Sequence, residues 1–525
     1  MESLSTSLIA WIAPSFLFWS LCSSRWLDRH AAKAGRLAEL LAWSTLASAL
    51  AGVALWLYRG GEALVATLTD AGMIGVRLDA LSATLLLLVA FLAAVILRFS
   101  RNYLAGDARQ GYFFKWMCLT LGAVLALALA PGLVQFGLAW ILTSMSLHKL
   151  LVYFPDRLGT LLSARKKFLI SRLGDLCLLA AFCGIYSVWG VQDFARLFDA
   201  IAGSPVPANA AWIAWLIVAG AVLKSAQFPF HTGLPDTMGA PTPVSALMHA
   251  GIVNAGGYLV VRLSPVLVQT ADALHFLAIV GALTAVFGSL VMLTQTSIKR
   301  ALAYSTIAQM GFMLLQCGLG AFNLAILHLV AHSLYKAHAF LSSGSSVATA
   351  KALASDPAPR SVPRVALAAS ALAVIGLVAG LVFAFDVSPS EKPGMLVLAA
   401  VLAGALTNLI WIELRADRAR RLLPASFLAA VALGGLYFGL SFISGALLAP
   451  ALPGLAPTAP LLEWLLAAIL YGTLIGTLFL QDPGRRGSAT ASWRNRLYVH
   501  ALNGFYVNTL ANRCARSLGL VPSNR

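Results

Sequence analysis

The sequence predicts an all-α polytopic membrane protein of about 15 transmembrane helices, and three observations carry that reading. Of its 525 residues, 59% are hydrophobic and only 11% are charged, with a mean hydropathy of +0.83. A soluble domain carries about a quarter charged residues, so this supply cannot build a water-facing surface. Apolar runs of roughly 20 residues, each long enough to cross a hydrocarbon core, recur from end to end. Between them the cations fall in alternate loops, as in a chain threaded back and forth through a bilayer.

The predicted spans are approximately 7–24, 37–58, 77–97, 112–131, 134–153, 168–189, 211–229, 242–263, 272–294, 299–318, 322–345, 365–386, 395–413, 424–448 and 461–480. In lipid only a helix satisfies its own backbone while alternating sides in this way. Four regions follow: N-terminal helices over 1–110, a core over 111–413, C-terminal helices over 414–480 and a basic tail over 481–525. The core block at about 165–345 stands apart because its spans contain many ionisable residues. Beyond 365 the spans are plain Leu, Ala, Val and Gly.

A net charge of +17 raises the question of a nucleic-acid partner, and its distribution answers it. Arg25, Arg29, Lys33 and Arg36 follow the first span; Arg98, Arg101 and Arg109 follow the third. Arg157, Arg165, Lys166 and Lys167 follow the fifth, Lys299 and Arg300 the ninth, and Arg415, Arg418, Arg420 and Arg421 the thirteenth. The intervening loops carry few cations. The positive-inside rule then places the N-terminus outside and the C-terminus in the cytoplasm of an inner membrane, so the charge reports topology, with no nucleic acid involved. The first span lacks a basic n-region and reads as a retained helix. The six cysteines form no CxxC pair, so neither a disulfide framework nor a zinc site follows, and no cofactor is expected in this chain.

A charge near the bilayer centre costs at least about 2.5–3.5 kcal/mol, so such residues mark function by default. Lys224 lies in the apolar stretch 211–228, close before Pro229. Proline cannot continue the helical ladder, so the backbone around 228–241 should break, and broken helices at membrane depth line cavities. A lysine there can take up and release a proton; the competing reading is a lysine snorkelling to the headgroups. In the eleventh span His328, His332 and Lys336 lie at i, i+4 and i+8, on one face with about 6 Å between neighbours. Such a stripe can relay protons. Two histidines at that spacing could instead hold zinc, but no acidic residue accompanies them on this helix.

Other candidates are weaker by themselves. His249 sits one turn into the eighth span, where a lone histidine is more often a satisfied core residue. Lys299 opens the tenth span and could be a loop charge. Asp175 lies three residues after Arg172 in the sixth span: the pair could neutralise itself, or Asp175 could bias Lys224 from a neighbouring helix. The tail is basic and aromatic, and reads as a cytoplasmic segment lying on anionic lipid or docking a soluble partner.

These residues stand within strings that resemble a known family. KSAQFPFHTGLPDTMGAPTPVSALMHAGIVNAGGYLVVR (224–262), TQTSIKRALAYSTIAQMGFM (294–313) and HLVAHSLYKAHAFLSSGS (328–345) resemble the core of the antiporter-like subunits of respiratory complex I and the Mrp cation/proton antiporters. RLDALSATLLLL (77–88), FSRNYL (99–104) and SRLGDLCLL (171–179) agree too. The resemblance implies two inverted five-helix repeats with broken seventh and twelfth helices. It also implies a hydrated proton path through Lys224, His249, Lys299, His328, His332 and Lys336.

Two departures stand out. The family places a glutamate after the tryptophan of its fifth helix, to pair with the seventh-helix lysine; here Ile141 follows Trp140, and Asp175 is the nearest substitute. The twelfth span lacks the family's lysine and carries only Asp386. The tail string RLYVHALNGFYVNTLANRCARSLGL (496–520) resembles that of a shorter relative, the membrane subunit of the DAB inorganic-carbon accumulation complexes. That resemblance implies a large soluble, zinc-containing, carbonic-anhydrase-like (DabA-like) partner, with the zinc and any catalysis residing there. Docking would fall on Trp493, Arg496, Tyr498, His500, Asn503, Phe505 and Tyr506. The expected function is conduction of protons or sodium ions coupled to CO2/bicarbonate accumulation. The alternatives are a pumping subunit of a complex I-like, hydrogenase or Mrp assembly, and a membrane scaffold for a soluble enzyme.

Overall fold

The computed structural model describes residues 7–68, 73–203, 207–344, 364–386, 394–415, 419–453, 459–480, 491–517 and 519. Arg418, Arg485 and Arg486 of the expected basic loops and tail lie outside the described residues. The chain opens with α1 (Ile12–Leu17), α2 (Ser24–Arg29) and α3 (Ala31–Tyr58), then a small antiparallel hairpin of β1 (Leu64–Thr67) and β2 (Gly75–Leu78). Helices α4 (Ala80–Tyr103), α5 (Gln110–Ala128), α6 (Leu133–Leu151), α7 (Leu158–Trp189), α8 (Phe194–Gly203) and α9 (Trp212–Lys224) follow. The core continues through α10 (Thr242–Ala250), α11 (Ala255–Arg262), α12 (Ser264–Leu267), α13 (Ala271–Met292), α14 (Ile298–Gly318) and α15 (Phe322–Leu341). Then come α16 (Arg364–Ala384), α17 (Met395–Leu414), α18 (Ala419–Leu448) and α19 (Pro460–Leu480), with α20 (Ala491–Leu502) and α21 (Val507–Ser517) in the tail.

Eleven of the predicted spans fall on helices long and apolar enough to cross a membrane by length and composition, the eighth on a helix pair. The first and seventh fall on shorter apolar stretches, Ser7–Leu21 and Ala208–Lys224. Helices α6 and α14 have the length, 19 and 21 residues, but spend it partly on polar side chains such as Ser144, Ser146, His148 and Gln316. The protein is a multi-pass, all-α membrane protein. Burial separates its parts: 89% of the apolar window of Thr242–Arg262 is inside the molecule, against 17% for Val365–Ala384. The twice-interrupted segment at 242–262 is therefore the protein's interior, while α16, α18 and α19 face outward and α17 is half-buried.

The predicted break at 228–241 is present. The helix α9 stops at Lys224, and the chain crosses to α10 through two 3-10 turns, Phe230–Gly233 and Pro235–Gly239. A second interruption, the turn Ile252–Asn254, separates α10 from α11. Gly251 opens it, and Asn254 stitches it to the core by donating from Nδ2 to the Ala250 carbonyl (3.0 Å) and to Ser333 Oγ on α15 (2.8 Å).

Two expectations are corrected. The twelfth span is not broken: α16 runs uninterrupted over Arg364–Ala384. It contains neither a proline nor an internal charge, so nothing there requires freed backbone. Arg165, Lys166 and Lys167 do not lie in a loop. They belong to the first turns of α7, a 32-residue helix whose polar start is invisible to an apolar-run criterion.

At one end of the bundle Asp79 caps α4 and ties three elements together. Its carboxylate accepts from Ser82 N (2.9 Å), from Arg77 Nε on β2 (2.8 Å), and from Arg262 Nη1 (2.5 Å) and Nη2 (3.1 Å) on α11. All three charged residues are buried. Losing one partner of such a buried pair costs about 3–5 kcal/mol, because the other charge is stranded. Asp79→Asn should therefore destabilise the protein by about that much, checked by thermal or denaturant unfolding in detergent; an unchanged midpoint would refute the anchoring role.

Candidate functional site

Lys224 closes α9 where the backbone leaves the helix, so its side chain reaches sideways into the core. It does not snorkel: its side chain is 1% exposed. Its Nζ lies 3.7 Å from Asp175 Oδ1 on α7, donates to the Trp140 carbonyl on α6 (3.3 Å), and sits 4.3 Å from the centre of the Trp140 ring. The carboxylate thus arrives from α7, while the position after Trp140 is Ile141. Asp175 also takes Arg172 Nη2 at 2.7 Å, and the same guanidinium reaches Ser144 Oγ on α6. Both sequence readings of Asp175 hold together, since it is shared between a cation on its own helix and the lysine opposite.

Below this pair lies a small polar cavity of about 20 Å³, lined by Lys167, Ser171, Lys224 and His231 among others. That is enough for a single water molecule. Lys167, Ser171 and Asp175 follow one another at i, i+4 and i+8 on α7, so one face of that helix presents an amine, a hydroxyl and a carboxylate to the broken segment. Sequence reasoning passed over Lys167 and His231. The same spacing rule that marked the α15 stripe would have found Lys167 had α7 been drawn to its full length.

The α15 stripe forms as predicted. The His328 and His332 rings are 5.9 Å apart, centre to centre. His328 Nδ1 is 2.9 Å from Gln316 Oε1 on α14, and Lys336 Nζ donates to the Leu302 carbonyl at 3.2 Å. His332 and Lys336 are buried and His328 is half-buried. His249 is fully buried at the end of α10 and stacks on Phe340, one turn beyond Lys336, at 4.5 Å. The second helix break therefore brings His249 to the stripe. Lys299 is half-buried and donates to Thr242 Oγ1 (3.1 Å), whose hydroxyl lies 3.4 Å from Tyr103 OH. Thr242 and His249 stand at opposite ends of α10, roughly 10 Å apart along its axis. Among the described residues no cluster of three or more His, Cys, Asp or Glu side chains could hold a metal.

The tail returns to this site. Lys166, at the start of α7, donates to Asn508 Oδ1 (2.7 Å) and Asn512 Oδ1 (2.6 Å) on α21, and lies 3.8 Å from Asp236 Oδ2. Asn508 Nδ2 in turn donates to Asp236 (2.7 Å), which also pairs with Arg300 at 3.2 Å. Asp236 belongs to the broken segment, in the turn after the one that carries His231. The i, i+4 asparagines of α21 therefore clamp the loop beside Lys224. The expected docking residues Trp493, Arg496, Tyr498, His500, Asn503, Phe505 and Tyr506 are all exposed. Three of them also pack inward or on each other: Phe505 lies 5.9 Å from Phe287, and His500 lies 5.6 Å from Tyr506.

A bundle of membrane-length helices, broken beside a buried lysine–carboxylate pair and lined by a histidine–lysine stripe, defines an antiporter-like ion-translocating membrane subunit. Comparison with known proteins agrees. The transmembrane family of NADH:quinone oxidoreductases and Mrp antiporters matches residues 130–356, and the N-terminal family of complex I chain 5 matches 72–114. The chain is 40% identical over 448 residues to the "Probable inorganic carbon transporter subunit DabB2" of Halothiobacillus neapolitanus, covering 84% of this chain and 80% of that protein. It is 39% identical over 363 residues to the "Probable inorganic carbon transporter subunit DabB" of Hydrogenovibrio crunogenus, 68% of each chain. Among solved structures, the Mrp complex from Dietzia sp. DQ12-45-1b superposes with a TM-score of 0.55 at 24% identity, over 96% of this chain and 57% of that one, a likeness of fold. The chain belongs to the DabB family of antiporter-like membrane subunits.

If Asn508 and Asn512 hold the tail on the core, Asn508→Leu combined with Asn512→Leu should release it. Limited proteolysis within 491–517 is then expected to accelerate several-fold while the helical core stays intact. Cleavage at the wild-type rate would contradict the clamp.

Proposed function

We propose that this chain is the ion-conducting subunit of an inner-membrane complex that couples a proton or sodium gradient to inorganic-carbon accumulation. The interconversion of CO2 and bicarbonate would take place in a soluble, carbonic-anhydrase-like zinc partner. The observation that carries the proposal is the Lys224–Asp175 pair, buried at a helix break in a chain whose relatives are described as inorganic carbon transporter subunits.

The chemistry follows from the sharing of Asp175. With Lys224 charged, the carboxylate divides itself between Lys224 and Arg172. When Lys224 gives its proton to water or a neighbouring base in the adjoining cavity, Asp175 is left to Arg172, and the local field changes. Conduction of one charge is thereby tied to a rearrangement of α7 against α9. From there His249 and the Lys336–His332–His328 stripe offer successive proton acceptors across the core. The tail supplies the coupling to a partner, because a protein bound on Trp493, Tyr498 and Tyr506 pulls on the helices that hold Lys166 and Asp236.

Lys224→Ala and Lys336→Ala are each expected to lower ion uptake in reconstituted vesicles at least about tenfold, the loss of some 1.4 kcal/mol of barrier lowering, with the complex still assembled. Uptake at the wild-type level in both variants would sink the conduction reading and favour a scaffold. A protonophore is expected to abolish carbon accumulation in cells; accumulation that follows sodium and ignores the protonophore would make sodium the driving ion. Purification from native membranes is expected to bring down one soluble zinc-containing subunit, and Trp493→Ala with Tyr498→Ala should lose it. Recovery of a many-subunit quinone-linked assembly instead would identify a redox pump.

A further inference from the structure

At the end of the bundle remote from the tail, the charges around Asp79 do not balance. Arg262 is satisfied: two of its nitrogens fork onto the Asp79 carboxylate, and Nε and Nη2 also reach Tyr258 OH at 3.3 and 3.1 Å. Arg77 is different. Its Nε alone donates to Asp79, and its Nη1 is buried with no hydrogen-bond acceptor among the described residues. Asp79, Arg77 and Arg262 are 5%, 8% and 3% exposed, so one carboxylate faces two desolvated guanidiniums. Among the described residues one positive charge of the three groups is left over.

That surplus borders a cleft of about 340 Å³, partly open to the outside, with Phe198, Gln269 and Pro450 among its walls. The Arg77 guanidinium lies 5.9 Å from the centre of the Phe198 ring, which gives the cleft an apolar side. The place is far from the Lys299 end: Tyr103, which meets Thr242, closes the same 24-residue helix that Asp79 opens, about 36 Å along the axis.

We propose that this cleft binds a small planar monoanion of the carboxylate or bicarbonate class beside Arg77. A buried guanidinium that must share its counter-charge with a second one carries a penalty that an anion relieves. The planar guanidinium, which gives Asp79 only its Nε, matches a planar oxygen acceptor. A cation is repelled by the same surplus, and the walls of Phe198 and proline leave little that would favour a large headgroup. The inference is independent of the carbon-coupling reading, because it concerns binding by this chain with neither gradient nor partner.

The test uses the full chain in lipid nanodiscs and its thermal unfolding midpoint at constant pH and ionic strength. Bicarbonate and formate are expected to raise the midpoint saturably, half-saturating at concentrations at least tenfold below chloride, with phosphate no better than chloride. Arg77→Gln should lose that response. Ala202→Asp, which sets a carboxylate on the cleft wall and leaves Arg77 in place, should fold and be equally insensitive to added anion. Shifts of the same size in wild type and Arg77→Gln would overturn the site, as would an undiminished response in Ala202→Asp should Arg77→Gln fail to fold. A response that follows ionic strength alone also overturns it. Phosphate acting more strongly than bicarbonate and formate would overturn the planar-monoanion assignment in favour of a lipid phosphate.

Discussion

An amine buried at the end of a helix, with a carboxylate brought to it from another helix, organises the interior of this protein. Lys224 could not remain charged in a dry core by itself, and the carbonyl and ring of Trp140 would not suffice. Asp175 makes the burial tolerable, but Asp175 is already bound to Arg172 at 2.7 Å. The result is a three-membered arrangement with two possible partnerships for one carboxylate. The rest of the core accommodates it: α9 stops at Lys224, the chain unwinds around Pro229, and α7 extends far enough to set Lys167 beside the same cavity.

The cost of an interrupted backbone is met by side chains at each break. Asn254 bonds across the second break to Ser333, next to His332 and within a turn of Lys336. Asp236, in the first break, is held by Lys166, Arg300 and Asn508. Three of the polar groups that stabilise the irregular backbone, Ser333, Lys166 and Arg300, therefore come from elements carrying candidate relay residues, and a fourth, Asn508, comes from the tail. Structural support and the candidate relay thus share the same elements, and α21 is joined to the loop beside Lys224 by its hydrogen bonds to Asp236 and Lys166. The spans α16, α18 and α19, by contrast, have largely exposed apolar faces, with no internal charge along α16, consistent with contact to lipid or neighbouring subunits.

At each end of the bundle one carboxylate serves two cations. At the tail end Asp236 lies 3.8 Å from Lys166 and pairs with Arg300 at 3.2 Å, and amide oxygens of α21 complete the Lys166 shell. At the other end Asp79 serves Arg77 and Arg262. The ends differ in burial: Arg77 and Arg262 are both buried, whereas Arg300 is exposed to solvent or headgroups.

The helical class, the position of nearly every span and the first helix break were legible in the amino-acid order, because hydropathy and proline chemistry act locally and need no partner. The stripe of His328, His332 and Lys336 was legible for the same reason: an α-helix converts spacing into a common face. What spacing could not reveal was anything that depends on which helices are neighbours. Whether Asp175 neutralised Arg172 alone or also met Lys224 was open from the sequence, and packing of α7 against α9 answered that it does both. Lys166 and Lys167 looked like loop cations because an apolar-run rule cannot see a helix that begins polar. The reading of α16 as broken came from resemblance and gave way to a composition with no reason to break. The convergence of Asn508, Asn512, Lys166 and Asp236 spans more than 340 positions of chain, and the charge imbalance at Arg77 is visible only when all of its neighbours are known. Local chemistry follows from order along the chain; the pairing of buried charges, a property of three-dimensional proximity, was decided by the tertiary structure.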